Sequence, residues 1–309
     1  MASYLVTGGA GFIGSHLVEA LLARGERVRV LDDFSTGRRE NLKPFAGRIE
    51  LLEGNCADPA IAREAVQGVE VVFHEAAIPS VPRSVADPVG SDRANCGGTV
   101  AMLEAARQAG VGRFVYAASS AAYGDTPTLP KEESMAPHPL SPYAVQKLAG
   151  ELYCRVFFET FGLQTVALRY FNVFGPRQDP KSEYAAVVPK FVTAALRGEP
   201  ATVFGDGQQS RDFTPVADVV RANLLAVTSP KAPGHVLNVA RGERITLLEL
   251  IERIGRIVGR QVEVRHAPPR PGDVKHSLAD IGRARALLGF EPSPSLDQAL
   301  AGVVEFYRR

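Results

Sequence analysis

The sequence predicts an α/β protein, a doubly wound parallel sheet with a smaller α/β lobe built onto it. Three observations predict this. Short apolar runs alternate with longer helical patterns through the N-terminal half, the rhythm of βαβ units. These runs are apolar throughout, as in strands buried on both faces. A glycine-rich turn joins the first apolar run to the first helical pattern, and turns of this kind set a helix tightly against a strand.

The elements follow in order. Residues 4–7 read as the first strand and 12–24 as a helix ended by Gly25, since glycine readily takes the left-handed conformation that stops a helix. Strands are predicted at 28–31 and 49–52, a short helix after Pro59, and a strand at 69–73. A helix at 94–109, closed by Gly110, leads to a strand at 113–118. A loop over 125–142 carries Pro127, Pro130, Pro137, Pro139 and Pro142, and its place between strand and helix makes it a pocket rim. A long helix at 143–161 and a strand at 165–168 follow. Beyond Pro176 the rhythm breaks, and helical patterns at 187–197 and 247–258 alternate with short strands and proline clusters. No Gly/Ser linker and no repeat divides the chain. The expected organisation is a first domain over 1–176 and a second lobe over 177–309, with part of the later chain returning to the first.

Composition narrows the function. The 309 residues carry 35 Lys plus Arg against 34 Asp plus Glu, a net +1, which argues against a nonspecific nucleic-acid binder. No run of 18 apolar residues suggests a membrane span, and the first 18 residues lack the basic start of a signal peptide, so a cytoplasmic protein is expected. Cys56, Cys96 and Cys154 are too few and too scattered for a disulfide framework. The six histidines show no metal-ligand spacing, and no metal is expected.

Gly8, Gly11 and Gly14 fall between strand and helix in the spacing GxxGxxG. The first permits a tight turn, the second lets backbone approach a pyrophosphate, and the third lets helix and strand pack closely. The phosphate then meets free N–H groups at the helix start. Asp32 ends the second strand, where a carboxylate can hold ribose hydroxyls and would repel a 2′-phosphate. This is the Rossmann arrangement, and the cofactor it favours is NAD.

Tyr143 and Lys147 stand four apart just after Pro142, on one face of the long helix. A tyrosine is a poor base at neutral pH, and a neighbouring ammonium lowers its pKa. Ser119 and Ser120 close the preceding strand, at the end where such sheets bind ligands, and either can also serve as a turn or cap residue.

GxxGxxG, Asp32, Ser119 and the Tyr143–Lys147 pair together resemble an extended short-chain dehydrogenase/reductase over nearly the whole chain. Within it, Leu168 to Arg177, Gly205-Asp206-Gly207 with Ser210 to Phe213, and Arg270 to Asp273 most resemble the UDP-hexose 4-epimerases. The resemblance implies a cofactor set of Gly8, Gly11, Phe12, Ile13, Gly14, Asp32, Asn55, Ala76, Asn95, Tyr143 and Lys147. Asn55 stands where the family usually has Asp at the adenine amine, and its amide oxygen can still accept that bond. A substrate set is also implied: Ser80, Ser120, Asn172, Val188, Phe204, Arg211, Arg270, Asp273 and Ser277. In it Arg211 and Arg270 face the diphosphate and Asp273 the uridine ribose. A homodimer through the helices near 94–109 and 143–161 is implied as well.

The reaction type follows from what is missing. Related dehydratases and decarboxylases place a carboxylate just after the strand Ser/Thr, whereas Ser119 is followed by Ser120-Ala121-Ala122-Tyr123-Gly124. What remains is chemistry that moves one proton and one hydride, epimerisation or simple oxidation/reduction, and the resemblance implies NAD-dependent 4-epimerisation of a UDP-hexose through a 4-keto sugar. Ser277 occupies the family's bulky gate position, and a small residue there leaves room for an acetamido group, though it also fits an ordinary helix N-cap. The expected substrates are UDP-GlcNAc/UDP-GalNAc as well as UDP-Glc/UDP-Gal. UDP-glucuronate remains an alternative, with Arg83 or Arg177 meeting its carboxylate, as do a nucleotide-sugar 4-reductase and a non-enzymatic NAD-bound sensor.

Overall fold

The computed structural model describes residues 3–179, 187–269 and 275–308. Its first half runs β1 (Ser3–Thr7), α1 (Phe12–Ala23), β2 (Arg27–Asp32), α2 (Arg39–Leu42), β3 (Glu50–Glu53), α3 (Pro59–Ala65), β4 (Val71–His74), α4 (Val81–Ala86) and α5 (Pro88–Asp92). A π-helical turn (Arg93–Gly97) leads into α6 (Gly98–Gln108), followed by β5 (Arg113–Ser119), α7 (Pro142–Phe161), β6 (Thr165–Tyr170) and β7 (Val173–Phe174). The rest comprises α8 (Val187–Arg197), β8 (Ala201–Phe204), β9 (Ser210–Arg211), β10 (Thr214–Pro215), α9 (Val216–Thr228), β11 (Val236–Val239), β12 (Ile245–Thr246), α10 (Leu247–Val258), β13 (Val264–Ala267), α11 (Gly282–Leu288) and α12 (Leu296–Arg308).

Seven strands form one parallel sheet in the order β3-β2-β1-β4-β5-β6-β11. Side chains alternate across it, which explains the uninterrupted apolar runs. Val6, Val30, Phe73 and Val115 pack on one face with Leu17 and Leu21 of α1 and Ala222 of α9. Leu5, Leu31, Val72 and Phe114 pack on the other with Met102 of α6 and Phe157 of α7. The order reverses between β1 and β4, and a crevice opens there at the carboxyl ends of the strands.

A separate core gathers Phe191 and Val192 of α8, Val203 of β8, Leu250 and Ile254 of α10, and Leu300 and Val303 of α12. Helix α10 buries Leu247, Leu250, Ile251 and Ile254, spaced as one helical stripe. It starts on a Thr246–Glu249 capping box and ends at Gly259 in the left-handed region, the two signals that define a helix locally. Residues 216–239 return to the sheet: α9 lies against α1, and β11 adds beside β6 with Leu237 opposite Leu168.

Two local expectations are corrected. The helix predicted from residue 94 begins instead with a π-turn, because the Asn95 side chain is drawn to a neighbouring loop. Ser277 caps no helix; its N–H donates to the Ser210 carbonyl, which ties it to β9. Among the described residues no helix is long and apolar enough to cross a membrane.

Candidate active site

A cavity of about 780 Å³ fills the crevice. Its walls include Gly8, Gly11, Phe12, Ile13, Gly14, Asp32, Asn55, Ala76, Ser80 and Asn172, all expected from the sequence. Gly8 has φ +67, and a Cβ there would stand 2.8 Å from the Ala76 backbone, so conformation and close approach both require glycine. A Cβ on Gly14 would come within 2.2 Å of the Gly8 carbonyl, which is why helix and loop pack so closely. No side chain caps α1 at Gly11, so its first-turn N–H groups are left for a ligand in the crevice.

Asp32 is fixed by two backbone N–H donors, Ala10 at 2.8 Å and Phe34 at 2.9 Å, and burial pushes its pKa up. Its outer lone pairs are placed for ribose hydroxyls. The loop, the uncapped helix start and this carboxylate fit an NAD molecule. At the far end Asn55 departs from the expectation. Its oxygen accepts the Ala57 N–H (2.8 Å) and its amide donates to Asp33 (3.1 Å), so the side chain already bridges its own loop and the one after β2. Asn95 departs further: it is 2% exposed and does not line the cavity. Its side chain accepts the Ile78 N–H at 2.7 Å and donates to Gln146 at 2.8 Å, so it shapes the cofactor wall from behind.

The proposed catalytic groups meet at the end of β5 and the start of α7. Ser141 caps α7 by accepting the Ala144 N–H, and Pro142 occupies the first turn, which places Tyr143 at the helix mouth. Ser84 of α4 accepts the Tyr143 N–H at 3.1 Å. Burial raises the Tyr143 pKa, and a hydrogen bond with Ser119 works against it. Lys147 is 4% exposed, and its ammonium donates to the Ala117 carbonyl at 2.8 Å. Burial lowers its pKa, opposed first by Glu75. In the chain itself burial is thus the dominant influence on Tyr143. Ser120 is half-buried in the turn that follows Ser119.

Other expected substrate residues divide. Asn172, with φ +32, donates to the Asp212 carbonyl (3.3 Å) and to Ser277 Oγ (3.4 Å), so these three segments converge. Arg211 donates to the carbonyls of Ser210 and Lys275. Phe204 is half-buried at the end of β8. Val188 is packed at 1% exposure in the second core and is not brought to the cavity, because the apolar stripe of α8 faces inward. Arg270 and Asp273 lie outside the described residues. Arg83 and Arg177 both line the cavity, and Arg177 is also held by Glu19 of α1.

Three residues emerge only here. Asp212, fully buried, accepts the N–H groups of Arg241 (2.9 Å), Gly242 (3.0 Å) and Ala279 (3.3 Å), and burial pushes its pKa up to about 6. It ties down the segment that carries Ser277, through the Ala279 N–H. Gln146 accepts from both Ser91 (2.9 Å) and Asn95 (2.8 Å). Glu75 lines the cavity directly after β4. An acid ending an apolar run was the one available signal for Glu75; the partners of Gln146 lie more than 50 residues away. Among the described residues no group of three or more His, Cys, Asp or Glu could hold a metal.

Comparison with known proteins agrees with this geometry. The model of a family described as "NAD dependent epimerase/dehydratase family" matches residues 4–240. A UDP-glucose 4-epimerase of Mycolicibacterium smegmatis is 42% identical over 98% of both chains. The solved UDP-N-acetylglucosamine 4-epimerase of Methanobrevibacter ruminantium, in complex with UDP-N-acetylmuramic acid, is 40% identical with a TM-score of 0.95, covering 99% of this chain and 98% of its own. A UDP-glucuronic acid 4-epimerase of Bacillus cereus, in complex with UDP-glucuronic acid and NAD, is 33% identical with a TM-score of 0.90 over 98% of both chains.

Proposed function

Since the chain belongs to the NAD-dependent epimerase/dehydratase family and is a UDP-sugar 4-epimerase, we propose that its substrates are UDP-GlcNAc/UDP-GalNAc together with UDP-Glc/UDP-Gal. The observation that carries this choice is Ser277 beside Asn172, a small side chain where a large one would narrow the sugar pocket. The enzyme works as a cytoplasmic homodimer in this reading.

Tyr143 takes the proton of the sugar 4-hydroxyl, and Ser119, bonded to the phenol, holds it in line and shares the proton. When bound, NAD supplies the acceptor and then the donor of the hydride at sugar carbon 4, and its positive ring favours the phenolate. Lys147, anchored on Ala117, presents its remaining N–H bonds to the cofactor ribose. The 4-keto sugar turns its other face, and Tyr143 returns the proton.

A second reading has one supporting observation. Arg83 lines the cavity on α4, next to the Ser84 that holds the Tyr143 backbone, and a guanidinium there suits a uronate carboxylate.

Incubation with UDP-GlcNAc, UDP-glucose and UDP-glucuronate separately, with no NAD added and products read by chromatography, decides between them. Conversion of the first two is expected, and Tyr143→Phe should slow it by about 10³-fold. Conversion of the uronate alone would select the second reading, and conversion of none would reject both.

A further inference from the structure

We propose that Asn238 is a positioning residue for substrate selection: one buried amide ties the segment that carries Ser277 to the turn that follows Ser119. The inference rests on reading Ser277 as the residue that decides the room at the sugar.

The amide stands where packing alone would place an apolar side chain. Asn238 is fully buried in β11, between Leu237 and Val239, and a polar group there costs free energy unless its bonds are made. Its oxygen accepts the Tyr123 O–H at 2.7 Å. Its Nδ2 donates to the carbonyls of Lys131 at 2.9 Å and Asp280 at 3.0 Å. Its backbone N–H donates to the Glu133 carboxylate at 2.7 Å. Burial pushes the Tyr123 pKa up to about 12, so the phenol remains the donor.

These partners come from separate segments. Tyr123 ends the turn over Ser120–Tyr123, which Ser119 of β5 caps. Lys131 and Glu133 lie in the proline-rich loop between β5 and α7. Asp280 follows closely on Ser277. The Lys131 N–H donates to the Leu278 carbonyl at 2.7 Å, and the Asp280 N–H donates to the Lys131 carbonyl at 2.9 Å. Loop and segment thus pair with each other, and Asn238 joins the pair to the main sheet. Asp212 adds a second hold through the Ala279 N–H. Tyr123, Phe171, Ala279 and Ile281 close a small core of their own. Ser277, bonded to Asn172 at 3.4 Å, takes its position from where this network sets the segment.

An amide is the group this junction needs, because it donates and accepts at once, whereas a carboxylate only accepts. Asn238→Asp keeps the acceptor for Tyr123 and loses both donations. Tyr123→Phe loses the O–H and leaves both donations in place. Asn238→Asp should lower kcat/KM on UDP-GlcNAc by about tenfold more than on UDP-glucose, which has no acetamido group to seat. It should also speed amide hydrogen exchange in residues 277–281. Tyr123→Phe should keep the wild-type ratio of the two sugars and the wild-type exchange in that segment. A buried carboxylate can cost the fold, so Asn238→Ser, uncharged and without the amide, is read beside it with the same expectation. Unchanged exchange at 277–281, an unchanged sugar ratio on an enzyme that converts both, or an equal change of ratio in Tyr123→Phe overturns the proposal. Hydrogen exchange needs no substrate, so this failure is distinct from that of the sugar reading, which a wild type converting no N-acetylated sugar would show.

Discussion

At residue 277 a hydroxymethyl group stands within hydrogen-bond reach of Asn172, on an irregular segment that Asp212 holds through the Ala279 N–H. In the proposed reading a larger side chain there takes its volume from the sugar pocket. Ser277→Tyr should cut turnover of UDP-GlcNAc by about 100-fold while UDP-glucose stays within about threefold, measured as kcat/KM on each. Equal loss on both would reject the gate. Legibility at this scale tracks sequence distance. Gly8, Asp32 and the Tyr143–Lys147 pair are readable because each placement is set by the backbone within a few residues. The departures of Asn55 and Asn95 are not, since an amide looks the same whether it meets a ligand or a loop. Asn95 shows why: its bonds reach Ile78 and Gln146, 17 and 51 residues away.

Elements repeat the lesson. The strands and long helices follow from apolar period and from caps such as Ser141 and Thr246. The π-turn does not, since the bonds of the Asn95 it carries reach Ile78 and Gln146, far along the chain. Ser91, Asn95 and Gln146 form one clamp across α5, the π-turn and α7, with all three side chains buried. Gln146→Leu removes the acceptor shared by two buried donors, Ser91 and Asn95. It should cost about 1–3 kcal/mol in chemical denaturation and loosen NAD retention on gel filtration. Unchanged stability would show that the clamp bears no strain between cofactor wall and helix.

For the whole molecule, the near-neutral charge balance excludes a polyanion surface yet leaves room for local anion sites, such as the uncapped start of α1. An apolar stripe also remains outside. Val85 and Val89 on α4 and α5 are 63% and 78% exposed, and Leu152 and Val156 on α7 are 56% and 47% exposed. These helices pack side by side, and a patch of this kind marks an interface. We propose a second copy of the chain as its occupant. Leu152→Asp should convert a dimer to a monomer in light scattering, and a monomeric wild type would refute the assignment.

The late strand β11 has a consequence for how the chain is made. Its partner β6 ends at Tyr170, but β11 begins only at Val236. During synthesis the cofactor loop, Asp32 and the catalytic helix all leave the ribosome while β6 is still a bare edge. That edge is a template for wrong pairing until about 70 further residues emerge and return to cover it. Asn172, Arg211 and Asp212 are therefore produced in the same stretch of chain that completes the sheet, and Ser277 follows only after it.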